Sequence, residues 1–151
     1  KNMGQSSLLR DELVSVALKW QEKYGVSPAI TSTISEFDAA ILVGMSPDEY
    51  SEYMQDKTAV SRGADFIFKE TKYQIKACRP SGKPGSKVTT APKARNYDWD
   101  IIIWMLYDKE YRLLEAWQMK SDEYKYQFDA KKRLTPDDYR SGERLFMVNP
   151  E

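Results

Sequence analysis

From Leu8 to Tyr24 apolar residues recur at helical spacing: Leu9, Leu13, Val16, Ala17 and Trp20 share one side, and Gly25 and Pro28 end the run. This predicts a surface helix with one buried face. A second helix is expected behind a cap at Thr33 or Ser35, carrying Phe37, Ala40, Ile41 and Val43 and closed by Gly44, with Glu36 in its first turn. Ser46-Pro47-Asp48-Glu49 then combines a cap, a proline at the first helical position and acids at the positive end of the helix dipole. It opens a third helix through about Met54.

Beyond residue 62 the period changes. Phe66-Ile67-Phe68 and Tyr73-Gln74-Ile75 are β-favouring runs separated by the polar turn Lys69-Glu70-Thr71-Lys72, a hairpin pattern. Pro80 to Asn96 contains Pro80, Gly82, Pro84, Gly85 and Pro92 and has no amphipathic period, which predicts a long loop. Asp100 to Tyr107 is almost continuously apolar, as in a strand covered on both faces. Asp108-Lys109-Glu110 turns the chain into a partner strand over Tyr111 to Met119. Ser121-Asp122-Glu123 caps a last helix, from about Asp122 to Lys131, and Leu145 to Val148 is expected to add a terminal strand. Neither a repeat nor a domain boundary interrupts residues 1–151, so one α/β domain is predicted, a central mixed sheet flanked by helices.

Composition narrows the chemistry. The chain has 151 residues, 23 basic and 23 acidic, one cysteine and no histidine. Without histidine, Ser-His-Asp and Cys-His sites, imidazole acid–base catalysis and Cys/His zinc clusters are all excluded. Catalysis must then use carboxylates, amides, Lys, Arg, Tyr or a hard cation on oxygen ligands, for which Mg²⁺ is suited. Cys78 is expected to be a buried small hydrophobe. Tyr97, Trp99 and Trp104 are expected in the core. No apolar run approaches the roughly 20 residues of a membrane span, and no signal-peptide pattern opens the chain, so a cytoplasmic protein is expected.

The charge is zero in sum but unevenly placed. Lys76, Arg79, Lys83, Lys87, Lys93 and Arg95 follow one another with no acid between them. A segment of this kind is a candidate phosphate-binding surface. It begins at the end of the hairpin, where Asp65 closes one strand and Gln74 and Lys76, two apart on the next, share a face.

Asp65 followed by Gln74-Ile75-Lys76 resembles the PD-(D/E)xK nuclease superfamily, which has the restriction-endonuclease-like fold. Asp65 stands for the first acid, Gln74 for the second and Lys76 for the lysine. Ala64 replaces the motif's proline and Gln74 its usual second carboxylate, a variant found within the superfamily. The resemblance covers roughly residues 32 to 119 as an order of elements. It implies that Asp65, the Gln74 side chain and the Ile75 carbonyl hold Mg²⁺, with Mn²⁺ able to substitute, and that Lys76 orients water. Glu36, on the preceding helix, is the residue placed to join that site.

The implied activity is that of a DNA endonuclease hydrolysing phosphodiester bonds, in a restriction or defence system. Arg79, Lys83, Lys87, Lys93 and Arg95 would contact DNA, and a second copy is expected where both strands are cut. Because Gln74 lacks the carboxylate's charge, a decayed nuclease-fold module that binds nucleic acid or a protein without cutting is the alternative. An unrelated α/β domain would follow if Asp65 and Lys76 pointed apart.

Overall fold

The computed structural model describes residues 3–56 and 63–149. Its elements are α1 (Met3–Tyr24), α2 (Thr31–Leu42), α3 (Pro47–Asp56), β1 (Phe66–Phe68), β2 (Thr71–Cys78), β3 (Ile101–Tyr107), β4 (Leu113–Lys120), α4 (Ser121–Phe128), α5 (Pro136–Tyr139) and β5 (Glu143–Met147). The five strands form one sheet in chain order. β2 and β3 run parallel, and every other neighbouring pair is antiparallel. This is the expected α/β architecture with a mixed sheet between helices.

Alternation along β2 and β3 sorts the core into two layers. Tyr73, Ile75 and Ala77 join Ile103, Met105 and Tyr107 against α2, with α1 and α3 outside. On the other face Cys78, Ile102 and Trp104 pack against α4, α5 and residues 88–99. Most of those residues lie in the loop predicted over Pro80 to Asn96. Ala91 bridges to Leu134, Ala94 N–H donates to Tyr124 Oη at 3.0 Å, and Tyr139 Oη donates to the Pro92 carbonyl at 2.6 Å. Buried Ala91, Ala94 and Trp99 anchor the segment apolarly. Cys78 is buried as expected, and burial pushes its thiol up.

Two helices depart from the periodicity argument. α1 turns Val14 and Ala17 inward, whereas Leu9, Leu13, Val16 and Trp20 of the predicted buried face are exposed. The helix docks instead through polar anchors: Arg10 reaches α2, and Gln21 accepts from Arg79. α2 begins at Thr31, ahead of the expected caps, and Ser35 Oγ donates back to the Ser32 carbonyl at 3.1 Å. Glu36 is therefore in the second turn, away from the helix dipole's positive end. α4 ends at Phe128, short of the expected Lys131, and a short α5 follows that the apolar pattern does not show. A capping box between Thr135 and Asp138 with Pro136 at its start forms α5. No helix among the described residues is long and apolar enough to cross a membrane.

One ionic network ties α1 and α2 to the sheet. Arg10 donates to both Asp38 oxygens at 2.9 Å and to the Tyr111 carbonyl at 2.7 Å, while Tyr107 Oη donates to Asp38 Oδ2 at 2.7 Å. Burial and then the Asp38 charge drive the Tyr107 phenol upward, so it stays a donor. The side chains of Arg10 and Asp38 are only 18% and 15% exposed, which sets this pair apart from solvent-screened surface pairs. Arg10→Ala leaves Asp38 half-buried without its counter-charge. It is expected to lower unfolding stability by about 2–4 kcal/mol in urea titration. A loss below about 1 kcal/mol would mean that the network does not hold α1 down.

Candidate functional site

The site starts where β1 stops. Phe66 opposite Tyr73 is the first pair of the β1–β2 ladder, and a two-residue turn at Lys69 and Glu70, both at positive φ, closes the hairpin. One residue before the ladder, Asp65 N–H donates to the Tyr73 carbonyl at 2.7 Å. Its side chain then does what the next strand residue would have done: Asp65 Oδ2 accepts the Ile75 N–H at 2.7 Å. Because that N–H lies in the sheet plane, the carboxylate is held at the β1 edge of β2, within reach of both faces. Strand residues direct N–H and C=O to the same side, so the Ile75 carbonyl faces this edge rather than β3.

Gln74 approaches from the face shared with Ile102. It is buried, and its Nε2 donates to Asp65 Oδ2 at 3.0 Å. Lys76, two residues on, occupies the same face beside Trp104 and is half-buried. Gln74 and Lys76 thus share one face of β2, and Gln74 touches Asp65 at its edge.

Glu36 approaches differently. α2 packs on the face that carries Tyr73 and Ile75, so Glu36 is not on the face of Gln74 and Lys76. What links it to Asp65 is Tyr50 of α3. Burial first, and then the carboxylates of Glu36 and Asp65, push the Tyr50 phenol up to about 12. Both acids therefore lie within electrostatic reach of one hydroxyl that stays protonated at neutral pH. Tyr53, one helical turn on, has a buried hydroxyl with no hydrogen-bond partner among the described residues. Tyr50 and Tyr53 are the residues sequence reasoning missed. Their spacing on α3 was the available signal.

The basic segment divides in two. Arg79 is built into the fold: its Nε donates to the Lys109 carbonyl at 3.0 Å, its Nη2 donates to Gln21 and to the same carbonyl, and its guanidinium lies 4.0 Å from the Tyr111 ring centre. Lys93 Nζ donates to the carbonyls of Asp129 and Lys131 at 2.8 Å, closing the end of α4. Lys83, Lys87 and Arg95 remain exposed. Lys83 and Lys87 border a cleft of about 390 Å³ with Leu106, Asp108 and Lys109. That cleft opens at the C-terminal ends of β2 and β3, away from the acid–amide pair. Arg95 is nearer, because the following Asn96 and Asp98 press on Gly63: a Cβ there would meet Asp98 Cβ at 2.5 Å and Asn96 Oδ1 at 2.7 Å. Only glycine fits this approach, made at a φ of +77°.

As donors for a cation, Asp65, the Gln74 amide and the Ile75 carbonyl are hard oxygens of the kind Mg²⁺ takes, and they lie at one edge. The acid–amide pair is at present closed by hydrogen bonding, with the Gln74 NH₂ turned to Asp65. Rotating that amide by half a turn presents its carbonyl instead. Among the described residues no three acidic or cysteine side chains cluster to hold a metal ion. Such a site would therefore depend on neutral donors.

The Glu36–Tyr50–Asp65 arrangement has a titration signature. Glu36→Gln removes a negative charge that disfavours the phenolate, so Tyr50 should ionise at lower pH, moving part of the way from about 12 toward 10 because burial remains. Ring-carbon NMR shifts of Tyr50 through the alkaline range measure this. An unmoved midpoint would separate Glu36 from the site. No family model matches the chain and no curated protein matches it, so the chemistry of this edge has to be argued from its geometry.

Proposed function

We propose that the chain is a Mg²⁺-dependent DNA endonuclease of the PD-(D/E)xK type with a restriction-endonuclease-like core, acting in the cytoplasm in restriction or defence. The observation that carries the reading is the contact between Asp65 and buried Gln74 at the open β1 edge, with Lys76 next along the same face. An acid and an amide meet where a sheet edge usually ends in solvent. The lysine has no ion-pair partner among the described residues.

Asp65, Gln74 through its carbonyl and the Ile75 carbonyl would hold Mg²⁺, and Glu36 would reach it through water. When bound, the cation supplies a Lewis acid for a phosphate oxygen and lowers the pKa of a coordinated water. The side chains do the rest. Lys76 orients the attacking water and offsets the charge that builds on the five-coordinate phosphorus, a task that requires a cationic group and no depressed pKa. Lys83, Lys87 and Arg95 contact the DNA phosphates, whereas Arg79 and Lys93 keep the segment in place for them.

Lys76→Ala should lower the cleavage rate by about 100-fold or more with DNA affinity nearly unchanged, because it removes a group that acts on the transition state. Gln74→Glu should keep cleavage and lower the Mg²⁺ requirement, since a carboxylate strengthens a hard-cation site. A gel-based cleavage assay with Mg²⁺ or Mn²⁺ titration measures both.

One observation favours a second reading, a decayed module that binds without cutting. Asp65 Oδ2 already accepts from Gln74 and Ile75, a closed arrangement that needs no cation to be stable. If the wild-type chain cuts no DNA across a broad panel and Gln74→Glu does not restore cutting, the second reading replaces the first. In either case, joint Lys83→Glu, Lys87→Glu and Arg95→Glu substitution should flatten the log–log salt dependence of DNA binding by about three units. An unchanged slope would remove these residues from the binding surface.

A further inference from the structure

α1 carries a stripe that the fold does not use. Leu9, Val16, Trp20 and Tyr24 are 67%, 60%, 52% and 58% exposed, and Leu13 is also at the surface. Their separations of four, three, four and four residues keep them on one line along the helix, roughly a quarter of a turn from the Val14 and Ala17 side that faces the core. Side chains of this size and exposure amount to several hundred Å² of contiguous apolar surface, more than scattered surface residues account for. We propose that α1 pairs antiparallel with α1 of a second copy of this chain through Leu9, Leu13, Val16 and Trp20.

Three features choose a second copy, and an antiparallel one. The four-three-four spacing is that of a two-helix seam, in which apolar residues alternate along the line of contact. In an antiparallel pair with Leu13 opposite Val16, Leu9 falls opposite Trp20, so the layers repeat under the two-fold axis. Leu9 and Leu13 also border an apolar groove of about 290 Å³, walled further by Phe37, Pro47 and Tyr50. This register brings Trp20 of the second copy beside Leu9 at the groove's edge, the arrangement of an aromatic anchor and its pocket.

The third feature is charge. Exposed Glu12 and Lys19 lie on the same flank of the stripe, the flank turned away from the core. In an antiparallel pair each flank meets the same flank of its mate, so Glu12 faces Lys19 of the second copy at both ends. A parallel pair would instead need the opposite flank, where Arg10 and Ala17 are already committed to the fold. The surface is thus complementary to itself in one orientation.

The pairing does not depend on the nuclease reading, and its test uses neither DNA nor metal. Sedimentation velocity of the whole chain over a concentration series is expected to show a monomer–dimer equilibrium. Trp20→Asp should weaken it by about 100-fold or more while leaving the circular dichroism of the monomer unchanged, since the side chain is exposed. Glu12→Lys should also weaken pairing, and combining it with Lys19→Glu should restore it, an outcome specific to the antiparallel arrangement. If Trp20→Asp disturbs folding, Val16→Asp and the charge exchange decide the matter. A chain monomeric at about 100 µM, or a dimer indifferent to these substitutions, would overturn the proposal.

Discussion

A single hydrogen bond at the edge of the sheet organises this molecule: the Ile75 N–H donated to the Asp65 carboxylate at 2.7 Å. β1 is three residues long, too short to pair with the whole of β2, and an unpaired strand edge is a liability. A side-chain oxygen fills the missing ladder position, ending the sheet without leaving a buried donor unsatisfied. The same substitution fixes an anionic oxygen in the plane of the sheet. Gln74 can then reach it from one face, while Glu36 and Tyr50 lie toward the other. Edge termination and placement of the acid–amide pair are one event here.

The covering of the second face follows a different logic. Residues 88–99 form no regular element, yet they hold the core through Ala91, Ala94 and Trp99 and through hydroxyls of Tyr124 and Tyr139. Irregular backbone in a core is costly unless its polar groups are paired, and the tyrosines supply those partners. Positive charge is then allocated by position. Arg79 and Lys93 neutralise exposed carbonyls at element ends, a structural use of cations, whereas Lys83, Lys87 and Arg95 face solvent. A run of basic residues in the sequence thus splits into fasteners and free charges according to which carbonyls lie within reach.

The hairpin, the apolar β3 and its return strand were readable because their patterns are local: alternation and turn residues act within a few positions. The Asp65–Gln74 contact was legible for the same reason. The inward face of α1 was not, because periodicity finds an apolar stripe without saying what it packs against. Arg10, paired with Asp38 across 28 residues, won the inner side from Leu9 and Trp20. The start of α2 is not legible, since Ile30 and the turn at Pro28 begin that helix without a side-chain cap, and no local signal marks such a start. Beyond its spacing from Tyr53, Tyr50 carries no local signal, because two acids from other elements come within its electrostatic reach only in the fold. Thus local hydrogen-bonding patterns could be read, whereas long-range polar pairings could not.

Two carboxylates near one phenol pose an electrostatic question that bears on what this edge can hold. Their negative charges oppose ionisation of Tyr50, and its burial does so more strongly, so the hydroxyl within reach of both acids stays neutral. A neutral donor there tempers, without cancelling, the negative potential of Glu36 and Asp65. On the other face, Gln74 is likewise a neutral group set against Asp65, in a place where a third carboxylate would raise the repulsion further. A cation entering this edge would meet two formal charges softened by an amide and a phenol, a weaker field than a three-acid site offers. The same neutrality allows the edge to remain folded with no cation bound. For a cation held as proposed, stability in the metal-free state and strength of binding would be opposed at this position, with Gln74 setting the balance.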